Sequence, residues 1–355
     1  MSRHAVAVIG LALVAAACSS STPAEKPADA PAPAPVLEVF GPRLLVTNEE
    51  SGDLTVMDLA TRQVTATIPL GKRPRGIVVS PNGKTAYVAL SGSPAAPPGV
   101  DEKTLPPPDR SADGIGVVDL TAGKLLRVLV SGPDPEKVAV TNDGRFALVT
   151  NEDAAMTSFV DIAKGEIVAT VKVGGEPEGV DIRPDGKVAY VTSEEDGEVF
   201  VIDIETQKLV TKFAVGPRPR STAFLPDSSE AYVTSENGAT VAVVDAQAHK
   251  VRATVTLTGE MARPMGAVAA PDGSHVYVTT GRGKMLVAID AKTHQVAWQV
   301  EVGQRPWGVA ISPDGSTVYT ANGPSNDISI VDVATRSVVG TVKAGNKPWG
   351  AAVVN

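Results

Sequence analysis

Residues 177–216 read PEGVDIRPDGKVAYVTSEEDGEVFVIDIETQKLVTKFAVG. Four short runs in this stretch, 179–183, 188–192, 199–203 and 208–214, alternate apolar and polar residues at period two. PDG, EEDG and ETQ separate them, all of it turn chemistry, and no part of the stretch shows a 3.6-residue period. The unit reads as four antiparallel strands.

The unit recurs. Aspartates that close an apolar run fall at Asp58, Asp119, Asp161, Asp203, Asp245, Asp290 and Asp332, in steps of 61, 42, 42, 42, 45 and 42 residues. An independent landmark is the proline of a Pro-x-Gly-like segment, at Pro74, Pro135, Pro177, Pro219, Pro264, Pro306 and Pro348, in steps of 61, 42, 42, 45, 42 and 42. Repeats of about 40 residues indicate propellers, solenoids or arrays, and the strand content removes helical solenoids. Seven four-stranded units predict an all-β, seven-bladed β-propeller over 43–355. The first unit opens at a second strand, RLLVTN (43–48), and the chain ends on KPWGAAVVN (347–355), a first strand with no unit after it. The C-terminal strand is therefore expected to complete the N-terminal blade, removing two raw sheet edges. The 61-residue step holds a Pro-rich insertion near 92–110, placed between a second and a third strand, where it would overhang one mouth of the channel.

Composition narrows the function. The chain has 355 residues and a formal charge of −8, so the phosphate backbone of a nucleic acid is no partner for it. One Cys and four His exclude a zinc ribbon, a disulfide scaffold and a c-type haem, which needs Cys-x-x-Cys-His. That one Cys closes the opening segment. Residues 5–17 are apolar or small after the basic Arg3, about 20 Å as a helix and short of the roughly 30 Å hydrocarbon core, so 1–17 reads as a signal peptide. The ending Ala15-Ala16-Ala17-Cys18 resembles the bacterial lipobox, which implies cleavage before Cys18 and its lipidation; an ordinary secretory signal is the alternative. Residues 18–42 then form a Pro/Ala-rich tether, extended at about 3.1 Å per residue. Ser19 after Cys18 points to the outer membrane, with the propeller facing the periplasm and a lipid as its membrane contact.

YVTSEEDG (190–197), YVTSENG (232–238) and LVTNED (148–153) resemble the YVTN-repeat propellers. SGPDPE (131–136), GGEPEG (174–179), GPRPR (216–220), NGPSND (322–327) and KPWG (347–350) look like the subfamily associated with alcohol catabolism by pyrroloquinoline quinone enzymes. The resemblance implies the seven-bladed fold and an accessory role in such oxidation or in transport. It carries over no functional residue.

In a propeller the link from the outer strand of one blade to the inner strand of the next reaches one channel mouth. The residues flanking each landmark proline should ring it: Arg73/Arg75, Asp134/Glu136, Glu176/Glu178, Arg218/Arg220, Arg263/Met265, Arg305/Trp307 and Lys347/Trp349. Two neighbouring units present carboxylates and the other five present cations. This is either a charged surface with tryptophans over the closure seam, or a polarised funnel binding an anionic ligand. For the second reading the candidates are Arg73, Arg75, Glu136, Glu178, Arg218, Arg220, Arg305, Trp307 and Trp349.

Glu49, Glu152, Glu194 and Glu236 share one hairpin position at the same mouth, but no Asp-x-Asp-x-Asp-Gly loop accompanies them, so no metal site and no cofactor is assigned. His249 and His294 fall four residues after Asp245 and Asp290, in hairpins on the opposite face. AIDAKTHQVAW (288–298) approaches a docking pattern of quinone-dependent dehydrogenases once, and Trp298 reads as packing. Two functions follow. One is a non-catalytic propeller that binds a small anionic ligand or an envelope protein at its mouth; the alternative is a lactonase-like hydrolase, which would need a base there.

Overall fold

The structure, a computed structural model, describes residues 1, 41–95 and 104–355. The signal peptide, Cys18, the tether up to residue 40, and residues 96–103 of the insertion lie outside the described residues. Among the described residues, twenty-eight strands form seven four-stranded antiparallel sheets. Blade 1 has the order β28 (Pro348–Val354), β1 (Arg43–Asn48), β2 (Asp53–Asp58), β3 (Val64–Pro69), so the C-terminal strand does complete the N-terminal blade. Arg43 pairs with Val354 and Leu45 with Ala352 across that seam. Blades 2 to 7 span 74–129, 135–172, 177–214, 219–256, 267–301 and 306–343.

Period-two strands expose two apolar faces, and in this ring each sheet buries both against its neighbours. The result is one apolar cluster per blade boundary, such as Tyr190, Val201, Phe224 and Val244 between blades 4 and 5. The repeated aspartate has a local cause. Asp58, Asp203, Asp290 and Asp332 each accept the amide and hydroxyl of a Thr three residues on, closing the outer hairpin. The residue after that turn takes a left-handed φ in all seven blades: Arg62, Gly123, Gly165, Gln207, His249, His294 and Arg336.

The inner strands meet around the axis through a second repeated device. Outside blade 6, each innermost strand shifts register next to its proline, as between Pro177 and Val180. The freed Gly179 amide donates to Thr192 Oγ1 at 2.8 Å, and that hydroxyl donates to the Arg220 carbonyl of the next blade at 3.3 Å. Thr47, Thr150, Thr234 and Thr279 make the same bond to the next blade at 2.7 to 3.0 Å. A Cβ on Gly179 would lie 2.5 Å from the Arg220 carbonyl oxygen, so this close approach requires glycine. At the other two boundaries Ala89 and Ala321 stand in the threonine's place.

Deleting 348–355 should abolish the cooperative thermal transition and give aggregates on size exclusion, because β1 becomes a raw edge. A truncated chain that melts like the full-length protein would overturn closure by β28.

Candidate functional site at the channel mouth

The backbone places the flanking residues. The residue before the landmark proline takes a left-handed φ at Arg73, Asp134, Glu176, Arg218, Arg305 and Lys347, between 37° and 59°. Its carbonyl accepts an amide from the inner hairpin of its own blade: Lys347 from Glu49, Arg73 from Ser91, Asp134 from Glu152, Glu176 from Glu194, Arg218 from Glu236 and Arg305 from Gly323. A strained position of this kind costs of order 1–3 kcal/mol, and its recurrence shows that the blade link demands it. Each flanking side chain is thereby set beside its hairpin residue. Asp134 and Glu152 reach the mouth in this way, and the landmark reading left both off its list of ligand candidates.

These groups line a cavity of about 620 Å³ that draws on every blade except blade 6. Its walls contain Arg73, Arg75, Glu136, Glu178, Arg218, Arg220, Arg305, Trp307 and Trp349, so all nine candidates converge. Ser93, Pro94, Ala95, Leu105, Pro106 and Pro108 of the insertion close one side. Lys72 Nζ holds Asp109 of the insertion at 2.6 Å, and Arg110 pairs with Asp153 of blade 3. Below the mouth a narrower channel of about 100 Å³ continues past Glu178, Arg220, Trp307 and Trp349.

The expected polarity is largely neutralised from within. Arg75 is 4% exposed and pairs with Asp134, Glu136 and Glu152 of blade 3, and its Nη2 donates to the Pro135 carbonyl at 3.1 Å. On the other flank Arg220 pairs with Glu178 and Glu194 of blade 4 and, at 2.8 Å, with Glu236. Arg218 Nε lies 2.6 Å from Glu194, and Arg73 Nη2 donates to Glu49 at 2.8 Å. The acidic blades 3 and 4 are thus clamped by arginines from blades 2 and 5. Arg75 and Arg220 both line the cavity, and their guanidinium groups are paired with buried carboxylates.

Crowding several carboxylates around each guanidinium shifts their protonation. Burial, reinforced by Glu178, pushes the Glu194 carboxyl up to about 12, whereas Arg220 holds Glu178 below the usual range against the effect of burial. Burial raises Glu152 to about 7 against the pull of Arg75, and raises Glu136 well above the ordinary value.

Blade 7 breaks the pattern. Where blades 1, 3, 4 and 5 place a glutamate in the inner hairpin, blades 6 and 7 place Thr280 and Gly323. Arg305 has no ion pair and no side-chain hydrogen bond among the described residues, and its guanidinium sits 4.9 Å from the Trp307 ring centre. Trp307 stacks with Trp349 at 5.7 Å and 29°. Burial, then repulsion from Arg282, lowers the Arg305 guanidinium below its ordinary value.

Away from the mouth, His249, His294 and Trp298 are held in hydrogen bonds and ring packing. The Tyr190 hydroxyl meets His249 Nδ1 at 2.7 Å, His294 Nε2 meets Glu230 at 3.1 Å, and Trp298 packs on Tyr277 at 5.8 Å.

Residues 100–230 match the family model of a YNCE-like beta-propeller, and residues 180–348 match that of the lactonase, 7-bladed beta-propeller. Among solved structures the chain is similar to hydrazine synthase of Kuenenia stuttgartiensis, at 21% identity and a TM-score of 0.71, over 82% of this chain and 92% of that one. It is also similar to a functionally unknown protein from Desulfotomaculum acetoxidans DSM 771, at 15% identity and a TM-score of 0.72, over 88% and 99%. At these identities the likeness is one of fold. No curated protein matches the sequence.

The Glu194 proton gives a pH prediction. Its folded value lies above the unfolded 4.5, so its contribution is fully present below about pH 4.5 and declines as pH rises. Glu194→Gln keeps a donor without the titration. Its stability should gain on that of wild type between pH 5 and 9, by about 1.4 kcal/mol per pH unit at most, read as a growing difference in melting temperature. A difference that stays constant over that pH range would refute the raised Glu194 carboxyl.

Proposed function

We propose that this chain is a non-catalytic binding propeller of the bacterial envelope, anchored by lipid on Cys18, whose mouth takes a small anionic ligand or an acidic loop of an envelope protein. Its setting would be pyrroloquinoline quinone-linked alcohol oxidation or transport, the role suggested by the resemblance of segments such as GPRPR (216–220) and KPWG (347–350). The observation that carries the binding role is the convergence of six blades on one cavity of about 620 Å³, a volume within the range of small-molecule sites. The opposite face supports it by contrast, since its aspartates and His249 are engaged in hairpin turns and packing.

The second reading is a lactonase-like hydrolase. It draws on the match over 180–348 and on Glu152, whose carboxyl at about 7 is suited to general-base work at the cavity wall.

Thermal shift against a panel of anionic metabolites, with pyrroloquinoline quinone among them, tests the first reading. A ligand of the mouth should stabilise wild type by several degrees and Trp307→Ala by little; equal stabilisation would place binding elsewhere. Turnover of a lactone by wild type, lost in Glu152→Gln, would establish the enzyme instead. The anchor has its own test. Cys18→Ala should leave the membrane fraction and lack the mass of a lipid, and a soluble wild type with an unmodified Cys18 would refute it.

A further inference from the structure

We infer that Arg305, Trp307 and Trp349 form a site for a planar anion, an aromatic or conjugated carboxylate, and that Gly323 keeps this site open. The inference rests on the reading of the mouth as the binding face and names the ligand class. Three observations carry it.

The first is charge. Arg73, Arg75, Arg218 and Arg220 each meet a carboxylate, whereas Arg305 meets none among the described residues. The strongest charge acting on it is repulsive, from Arg282 in the blade 6 hairpin; Glu236 and Glu49 attract it without pairing and Arg220 repels it, and the balance with burial leaves it below its ordinary value. A part-buried guanidinium has five donors to satisfy, and an incoming carboxylate can take two of them in parallel.

The second is shape. Trp307 and Trp349 are both half-buried, stacked on one another, and face the cavity that holds Arg305. An indole pair offers a flat apolar surface, and a conjugated ring on it extends the stack while its carboxylate reaches the guanidinium. A compact tetrahedral anion would leave that surface unused.

The third is the repeat itself. The Gly323 amide donates to the Arg305 carbonyl, the contact that sets a glutamate beside the flanking residue in blades 1, 3, 4 and 5. A glutamate here would neutralise Arg305 from its own blade. Nothing steric excludes one: a Cβ on Gly323 would come no closer than 3.6 Å to Trp307 Cδ1, and Gly323 is outside the left-handed region. The glycine therefore leaves the cation free while tolerating substitution.

The test uses 4-nitrobenzoate, a planar carboxylate that quenches indole fluorescence, with 4-nitrobenzyl alcohol as the neutral planar control and cyclohexanecarboxylate as the non-planar anion. Only three tryptophans are present, so the quench reports on this pair with Trp298 as background. Wild type should quench saturably with 4-nitrobenzoate. Both controls, assayed calorimetrically, should bind about tenfold more weakly or worse. Arg305→Ala and Gly323→Glu, each confirmed folded by an unchanged melt, should lose about tenfold or more. No saturable binding by wild type overturns the inference, as does wild-type affinity in both variants. If Trp307→Ala abolishes binding while Arg305→Ala and Gly323→Glu do not, the mouth remains the binding face and the Arg305 assignment alone falls. If all three variants bind like wild type, both fall.

Discussion

A hydroxyl shared between neighbouring blades holds the ring together. In five of the seven blades the amide two residues after the landmark proline donates to the threonine of the repeat, and that hydroxyl donates in turn to the next blade. Leaving a buried donor unmet costs about 1–3 kcal/mol, so in these five blades the threonine stabilises an otherwise unmet amide. The glycines serve the same junction. Gly179, Gly266, Gly308 and Gly350 lie where a Cβ would meet a neighbouring carbonyl oxygen at 2.4 or 2.5 Å. Blade packing, channel width and the placement of the mouth residues all depend on this approach.

The two boundaries without the threonine are where the mouth is most specialised. Between blades 2 and 3, opposite Ala89, Arg75 crosses to the Pro135 carbonyl and to Asp134 and Glu136. Between blades 7 and 1, opposite Ala321, the Trp307–Trp349 stack spans the blade boundary. Both solutions replace a small local bond with large side chains that also form the cavity wall. Structural and ligand-facing roles therefore coincide in these residues.

The arginine clamps are a matter of desolvation as much as attraction. A buried guanidinium with one partner removed leaves uncompensated charge at about 3–5 kcal/mol, so Arg75 and Arg220 belong to the architecture. Three carboxylates around one guanidinium exceed its charge, and the excess is met by protonation at Glu194 and by the raised value of Glu152. Arg305 stands outside this arrangement, and its isolation makes the mouth asymmetric.

Much of this was legible in the chain. The intervals between Asp58 and Asp332 count blades, because each aspartate closes a hairpin that every blade must have. The unpaired strand at 347–355 announces closure, and the flanking residues of Pro74 to Pro348 are located at one mouth because a propeller link runs there. The partners of those residues were not legible. Arg75 turns to blade 3 and Arg220 to blade 4, in opposite directions along the chain, and repeat arithmetic is blind to which neighbour a long side chain chooses. Glu49, Glu152, Glu194 and Glu236 looked like one acidic set in the alignment, whereas Glu49 pairs with Arg73, Glu152 with Arg75, and Glu194 and Glu236 share Arg218 and Arg220. Sequence periodicity determined the fold, since hydrogen-bonding and burial patterns repeat with the backbone. Only the tertiary structure decided which charges cancel and which one is left, because that depends on distances of a few ångströms between blades.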